Sequence, residues 1–172
     1  MKKGFQVVVG FLLVLIVVGC SDNTINEEGK DIKELVHDYS VGNFDDVTAS
    51  ITSHELIVTE NNESEIRYDL PKDEFFVSIA PFIEHTHECA IHSLTGCQGE
   101  LVEEEFNVYI EDEQGNVVVD ETMTSFANGF IDLWLPRDKN LHVSIEHNGK
   151  VSETDISTFE GDKTCITTMQ LL

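Results

Sequence analysis

The second half of the chain is cut by turn signals at short intervals, and this constrains the fold more than any other feature. Glu113-Gln-Gly115-Asn116, Asn128-Gly129, Pro136-Arg-Asp-Lys-Asn140 and Asn148-Gly149 separate the apolar-rich runs 101–110, 117–123, 130–135, 141–147, 151–156 and 164–171. Asn-Gly pairs supply the positive φ that tight hairpins demand. Phe106, Val108 and Ile110 fall on one side of a period-two pattern, with Asn107, Tyr109 and Glu111 on the other. Roughly six or seven strands, with turns about every eight to twelve residues, predict an antiparallel β-sandwich over residues 71–172.

Upstream, Ile32, Leu35, Val36 and Tyr39 fall at i, i+3, i+4 and i+7, the stripe of a short amphipathic helix that stops near Gly42. Asn43 is positioned to cap a further helical turn through Val47. From Ala49 the pattern becomes extended, with runs 56–58 and 66–70 on either side of an Asn61-Asn62 turn. The chain is therefore expected to be mainly β, with a small α+β region at 30–70 joined at Pro71 to the sandwich. A strand over 75–83 would have Pro81 at an edge or a bulge.

The front of the chain has another purpose. Lys2-Lys3 precedes an apolar run from Phe5 to Val18 that is short for a membrane span. The run ends in Val17-Val18-Gly19-Cys20, which resembles the lipobox of bacterial lipoproteins. That resemblance implies a signal peptide at 1–19, lipid on Cys20, and a polar tether over 20–29. The membrane is then reached only through the lipid anchor, and the protein works outside the cytoplasm. With 33 acidic against 10 basic residues, the net charge is −23. Such a surface repels phosphates and anionic lipid headgroups, so nucleic acid is excluded as a partner.

Three cysteines remain beyond Cys20: Cys89, Cys97 and Cys165. An odd number cannot pair fully within one oxidised chain. The spacing of Cys89 and Cys97 suits a small disulfide loop and is wider than a zinc finger uses. The neighbourhood favours metal. His85, His87 and His92 lie among these thiols. In an extended segment, His85, His87 and Cys89 share a face, with His87 and Cys89 about 6.6 Å apart at Cα. A helical turn beyond would keep His92 on the same side. Gly96 and Gly99 let the backbone curl around Cys97. His54, His142 and His147 have no thiol neighbours and read as structural or exposed, and Met123 and Met169 read as core. Three thiolates with one or two imidazoles suit Cu(I) best, with Zn(II) as competitor. No Asp/Asn loop with calcium or magnesium spacing is present.

These residues also carry a family resemblance. Thr86-His87-x-Cys89-x-x-His92-Ser-Leu-Thr-Gly-Cys97-Gln-Gly-Glu-Leu101 resembles the signature of the CueP family of copper-binding proteins. Thr164-Cys165-Ile-Thr-Thr fits that family's third cysteine, and Asp73-Glu-Phe-Phe-Val-Ser-Ile-Ala-Pro81 fits just upstream, so the likeness covers about residues 49–172. The resemblance implies an extracytoplasmic copper protein with Cys89, Cys97 and Cys165 as ligands. It also implies a place in copper resistance, supply of copper to a client such as a copper/zinc superoxide dismutase, and reduction of Cu(II) by thiols. His87 and His92 match motif positions and would be auxiliary ligands or orient the ligands. The expected lipid anchor at the front end and the strong acidity of the chain depart from the soluble family members and leave the client open.

Two other classes compete. A thiol–disulfide protein would use Cys89 or Cys97 to attack and Cys165 to resolve, yet the chain has no Cys-x-x-Cys and no α/β pattern around it. A structural surface sandwich would hold only a Cys89–Cys97 bridge. Enzymatic turnover is not expected, because no Gly-x-Ser-x-Gly elbow is present and Cu(II) reduction by two thiols is stoichiometric.

Overall fold

Strand β4 (Glu74–Ile79) lies at the centre of the molecule, and five of its six residues are buried. Phe75, Val77 and Ile79 face one core while Phe76 faces a second. A strand covered on both sides reads as a continuous apolar run rather than an alternation, as Phe-Phe-Val-Ser-Ile does. The computed structural model describes residues 31–172. The expected signal peptide, Cys20 and the whole tether lie outside the described residues.

On the first side, β4 pairs with β8 (Ile131–Pro136) and with β11 (Cys165–Ile166), in the order β11-β4-β8. This sheet packs on a second one made of β6 (Glu105–Asp112), β7 (Val117–Thr124), β9 (Asn140–His147) and β10 (Lys150–Ser157), ordered β10-β9-β6-β7. Phe106, Val108 and Ile110 of β6 and Leu141, Val143 and Ile145 of β9 point into the core they share with β4. The predicted alternation is seen here residue by residue. Asn148 and Gly149 both take positive φ, 52° and 77°, in the turn between β9 and β10, as a tight primed turn requires. Gly115, at φ 77°, closes the β6–β7 turn, and the Asp112 carboxylate accepts from the N–H groups of Gln114 and Asn116.

The other side of β4 is covered by helix α1 (Ile32–Val41) and by a sheet containing β1 (Val47–Ile51), β2 (Glu55–Glu60) and β3 (Glu65–Asp69). Asp31 caps the helix, accepting from Lys33 N–H at 2.8 Å. Ile32, Val36 and Ser40 form its buried stripe, with Leu35 and Tyr39 packed beside them. Ala49, Ile51, Leu56 and Val58 complete this second core around Phe76, and Trp134 packs edge-on against Phe76. Asp132 ties the layers together by accepting from Ser40 and Ser78 hydroxyls, each at 2.5 Å.

Three expectations need correction. Asn43 caps no further helical turn. Gly42 leaves the helix in an extended conformation, and Val47 already pairs with Glu60. The segment from His85 to Ile91 is irregular rather than extended, and His92 begins a two-residue strand, β5 (His92–Ser93), rather than a helical turn. The last run forms only β11, which pairs parallel to β4, followed by an isolated Phe82–Gln170 bridge. Its apolar side chains still pack, with Met169 and Leu171 in the core, whereas Met123 of β7, also expected in the core, is half-buried and packs against it. Among the described residues no helix is long and apolar enough to cross a membrane.

Candidate metal centre

β5 extends the N-terminal sheet, pairing Ser93 with Ser50 and His92 with Ile51 of β1. This places His92 between layers, 0% exposed, with its ring 4.5 Å from that of Phe130. Immediately after it, the Ser93 carbonyl accepts from Gly96 N–H at 3.3 Å and Cys97 N–H at 3.0 Å. That turn swings Cys97 back toward His92. Gly99 then donates to the Asn128 carbonyl at 2.7 Å. Its α-carbon lies so close to Gly129 that an added Cβ would meet the Gly129 oxygen at 2.5 Å. Two glycines in backbone contact thus lock the Cys97 loop to the turn carrying Phe130.

Cys165 arrives from the other direction. In β11 it pairs with Ser78 and is buried with Ala80 and Phe130, against which Cys89 and Cys97 pack. The outcome is a tight group: one donor atom each from Cys89, His92, Cys97 and Cys165, all within 4.8 Å of one another. The Cys89 and Cys97 sulfurs are 3.7 Å apart, so all three thiols are free.

The charges in this group are uneven. A hydrogen bond from the Cys165 thiol holds Cys97 far below the usual thiol range, burial opposes this, and the His92 and His87 rings reinforce it. The same contact with Cys97, together with burial, pushes Cys165 up. Burial also raises Cys89. The three sulfurs are therefore electrostatically unequal, with Cys97 the one most readily deprotonated, against a wall that includes Ala80 and Phe130. Both ring nitrogens of His92 are buried and neither makes a hydrogen bond. Buried polar atoms are nearly always satisfied, so an imidazole that meets no partner at hydrogen-bond geometry and has a nitrogen within 4.8 Å of three sulfurs is suited to a metal ion held among them. Three soft sulfurs and one such nitrogen fit a soft metal ion.

His87 is exposed at the rim of this group, its ring 6.3 Å from that of Phe130. It influences Cys97 but is not among the four mutually close donors. Glu84, His85 and Glu100 form a second close group, entirely on the surface. Glu100 Oε2 already accepts from the N–H groups of Ile83, Glu84 and His85 at 2.7, 3.0 and 3.2 Å. Desolvation acts against its charge, but these bonds outweigh it and hold the carboxyl below its usual range. We read it as a staple for the loop that leads to Cys89.

The family described as periplasmic copper-binding protein CueP matches residues 32–170. The chain belongs to the CueP family. The match begins at the first helical residue, so it takes in the N-terminal layer as well as the sandwich. A crystal structure of S.CueP is similar over 84% of this chain and 90% of its own, at 36% identity and a TM-score of 0.80. No curated protein matches.

For a CueP chain, the thiols were the legible part of the site. The burial of His92 was not legible, because it depends on a two-residue strand joining a distant partner. Thr164, whose hydroxyl is bonded to the His92 backbone, stood in the motif around Cys165, but nothing in the sequence linked it to His92. Of the remaining histidines, His54 is exposed and His142 pairs with Asp155 at 2.8 Å. His147 is buried against the Glu105 carbonyl. None of them approaches the sulfurs closely enough to join the four-donor group.

Proposed function

We propose that this chain binds Cu(I) outside the cytoplasm through Cys89, Cys97 and Cys165, with His92 as the fourth donor, and acts as a copper chaperone or buffer. The convergence of three soft sulfurs and one buried imidazole, which has no partner at hydrogen-bond geometry, carries this reading. Family membership supports copper over other soft ions. Thiolate ligation suppresses the redox cycling that makes loose copper harmful, and Zn(II) competes with lower preference for the same sulfurs. His87, at the rim, is suited to meeting the ion first. Lipid on Cys20 holds the protein at the membrane, where it serves copper resistance and delivers to a secreted or surface cuproenzyme such as a copper/zinc superoxide dismutase.

The 3.7 Å between Cys89 and Cys97 favours one addition. Two thiols can give one electron to each of two Cu(II) ions, forming a disulfide, two Cu(I) ions and two protons. Without an external reductant this occurs once, so the protein is not an enzyme.

The test uses the full chain carrying Cys20→Ser, held in detergent, reduced, and titrated with Cu(I) against a chelator. We expect one tightly held ion and a thiolate-to-copper ultraviolet band that weakens when any of Cys89, Cys97 and Cys165 becomes serine. If only Cys89 and Cys97 matter, and their loss lowers the melting temperature instead, a structural disulfide replaces this reading. Reduction of insulin without metal would favour a thiol–disulfide protein. Fatty-acid labelling that disappears with Cys20→Ser tests the anchor.

A further inference from the structure

Thr164 is almost completely buried and precedes Cys165. Its four hydrogen bonds run to three segments: Ile51 of β1, Ser78 of β4, and Ala90 and His92 in the stretch that leads into β5. Its N–H donates to the Ala90 carbonyl at 3.0 Å, and its carbonyl accepts from Ser78 N–H at 2.9 Å. Any residue could make those two bonds. The hydroxyl makes two more that only serine or threonine could supply. It accepts from His92 N–H at 3.1 Å and donates to the Ile51 carbonyl at 2.6 Å.

Ile51 and His92 are register partners across β1 and β5. The hydroxyl therefore acts as a relay between the His92 N–H and the carbonyl of the residue facing it. β5 is only two residues long, so its ladder alone does little to fix the angle at which His92 leaves the backbone. The imidazole gives no help either, since neither of its nitrogens is hydrogen-bonded. What orients it is the backbone bond to Thr164 and the packing of its ring on Phe130. The backbone of the same residue leads into Cys165 at the start of β11, so Thr164 links the nitrogen donor, through its hydroxyl, to a sulfur donor, through its main chain.

We propose that Thr164 is a positioning residue that holds His92 in place as the fourth donor, so that removing its hydroxyl turns a four-donor site into a three-sulfur one. This rests on the copper reading above. The hydroxyl contacts neither the ion nor a sulfur, and it acts through the His92 backbone.

A double-mutant cycle on the full chain loaded with Cu(I) tests the proposal, with chelator competition for affinity and X-ray absorption for the nitrogen scatterer. Thr164→Val should lose the nitrogen and weaken binding by about 10-fold or more, the range seen when a residue supporting a ligand is removed. Thr164→Ser should keep both. In a His92→Ala background, Thr164→Val should have no further effect, because residues acting through one contact are not additive. Equal losses in both backgrounds, or a Thr164→Val protein that keeps the nitrogen and its affinity, would overturn the proposal. Should Thr164→Val fail to fold, exchange of the His92 amide proton in the wild type decides. Slow exchange supports the relay, and exchange at the rate of an exposed loop amide rules it out. Failure of the wild type to bind Cu(I) removes the copper reading and this inference with it, whereas wild-type binding with additive losses removes only the role of Thr164.

Discussion

The outer sheet and the sulfur cluster are built from opposite kinds of contact. In β10-β9-β6-β7, β6 and β7 and then β9 and β10 follow one another in sequence and pair as hairpins through turns whose residues meet the backbone's demands. In the cluster, β11 pairs with β4 from far along the chain, β5 has two residues, and a buried imidazole has no partner. The first region satisfies itself. Under the copper reading the second is completed by the ion, and the layers around it hold the unpaired imidazole in place. The difference implies that stability and metal affinity can be changed separately.

The largest effect should come from Ile145→Ala in the middle of β9, which is fully buried. It should cost about 2–5 kcal/mol of folding stability in a urea titration while leaving the Cu(I) affinity of the folded protein unchanged. A parallel fall in affinity would break the separation. Cys165→Ser should do the reverse. Its Cu(I) affinity should fall by more than about 100-fold, beyond what loss of a supporting residue costs, while the urea midpoint of the empty protein moves far less than for Ile145→Ala.

A matched pair of glycine substitutions sharpens the comparison. At Gly99 a Cβ would press into the Gly129 backbone, so Gly99→Ala should cost about 1–3 kcal/mol and, by shifting the Cys97 loop, also weaken copper binding. At Gly149 an added Cβ meets nothing within 4 Å, and only the φ of 77° opposes it. Gly149→Ala should therefore cost about 1 kcal/mol with copper affinity intact. The smallest effect lies on the outer sheet, at His142. Its hydrogen bond to Asp155, the first cause, raises its pKa. The pair's contribution is therefore complete below about pH 6.5, the unfolded value, and is lost as pH rises through the higher folded one. Both groups are well exposed to solvent, so screening keeps the step small. Asp155→Asn should flatten it in thermal melts taken across that range.

What could be read in advance follows the same division. Strands β6 to β10 were visible because alternation and turn chemistry are local, and Asn148-Gly149 alone fixes the register of a hairpin. Helix α1 was visible from its stripe, but its end was not. Asn43 has the chemistry of a cap, yet Gly42 turns the chain into β1 before a second turn can form. β5 and β11 left no periodic trace, since two residues have no period and their pairing is decided by tertiary packing. The meeting of Cys89, Cys97 and Cys165 could be suspected from residue type. The depth of His92 and the relay through Thr164 depend on distant backbone and appear only when the layers are assembled.

His92 also bears on how long each copy of the protein survives. Under the copper reading, an empty molecule leaves both His92 ring nitrogens without a partner, and a loaded one relieves the nitrogen that holds the ion, a gain on the order of 1–3 kcal/mol. Proteases capture chains in proportion to how often they open, so starved cells should clear this protein faster than copper-fed ones. A pulse-chase half-life that lengthens with copper, and no longer does so in His92→Ala, would make the protein's own persistence a gauge of metal supply.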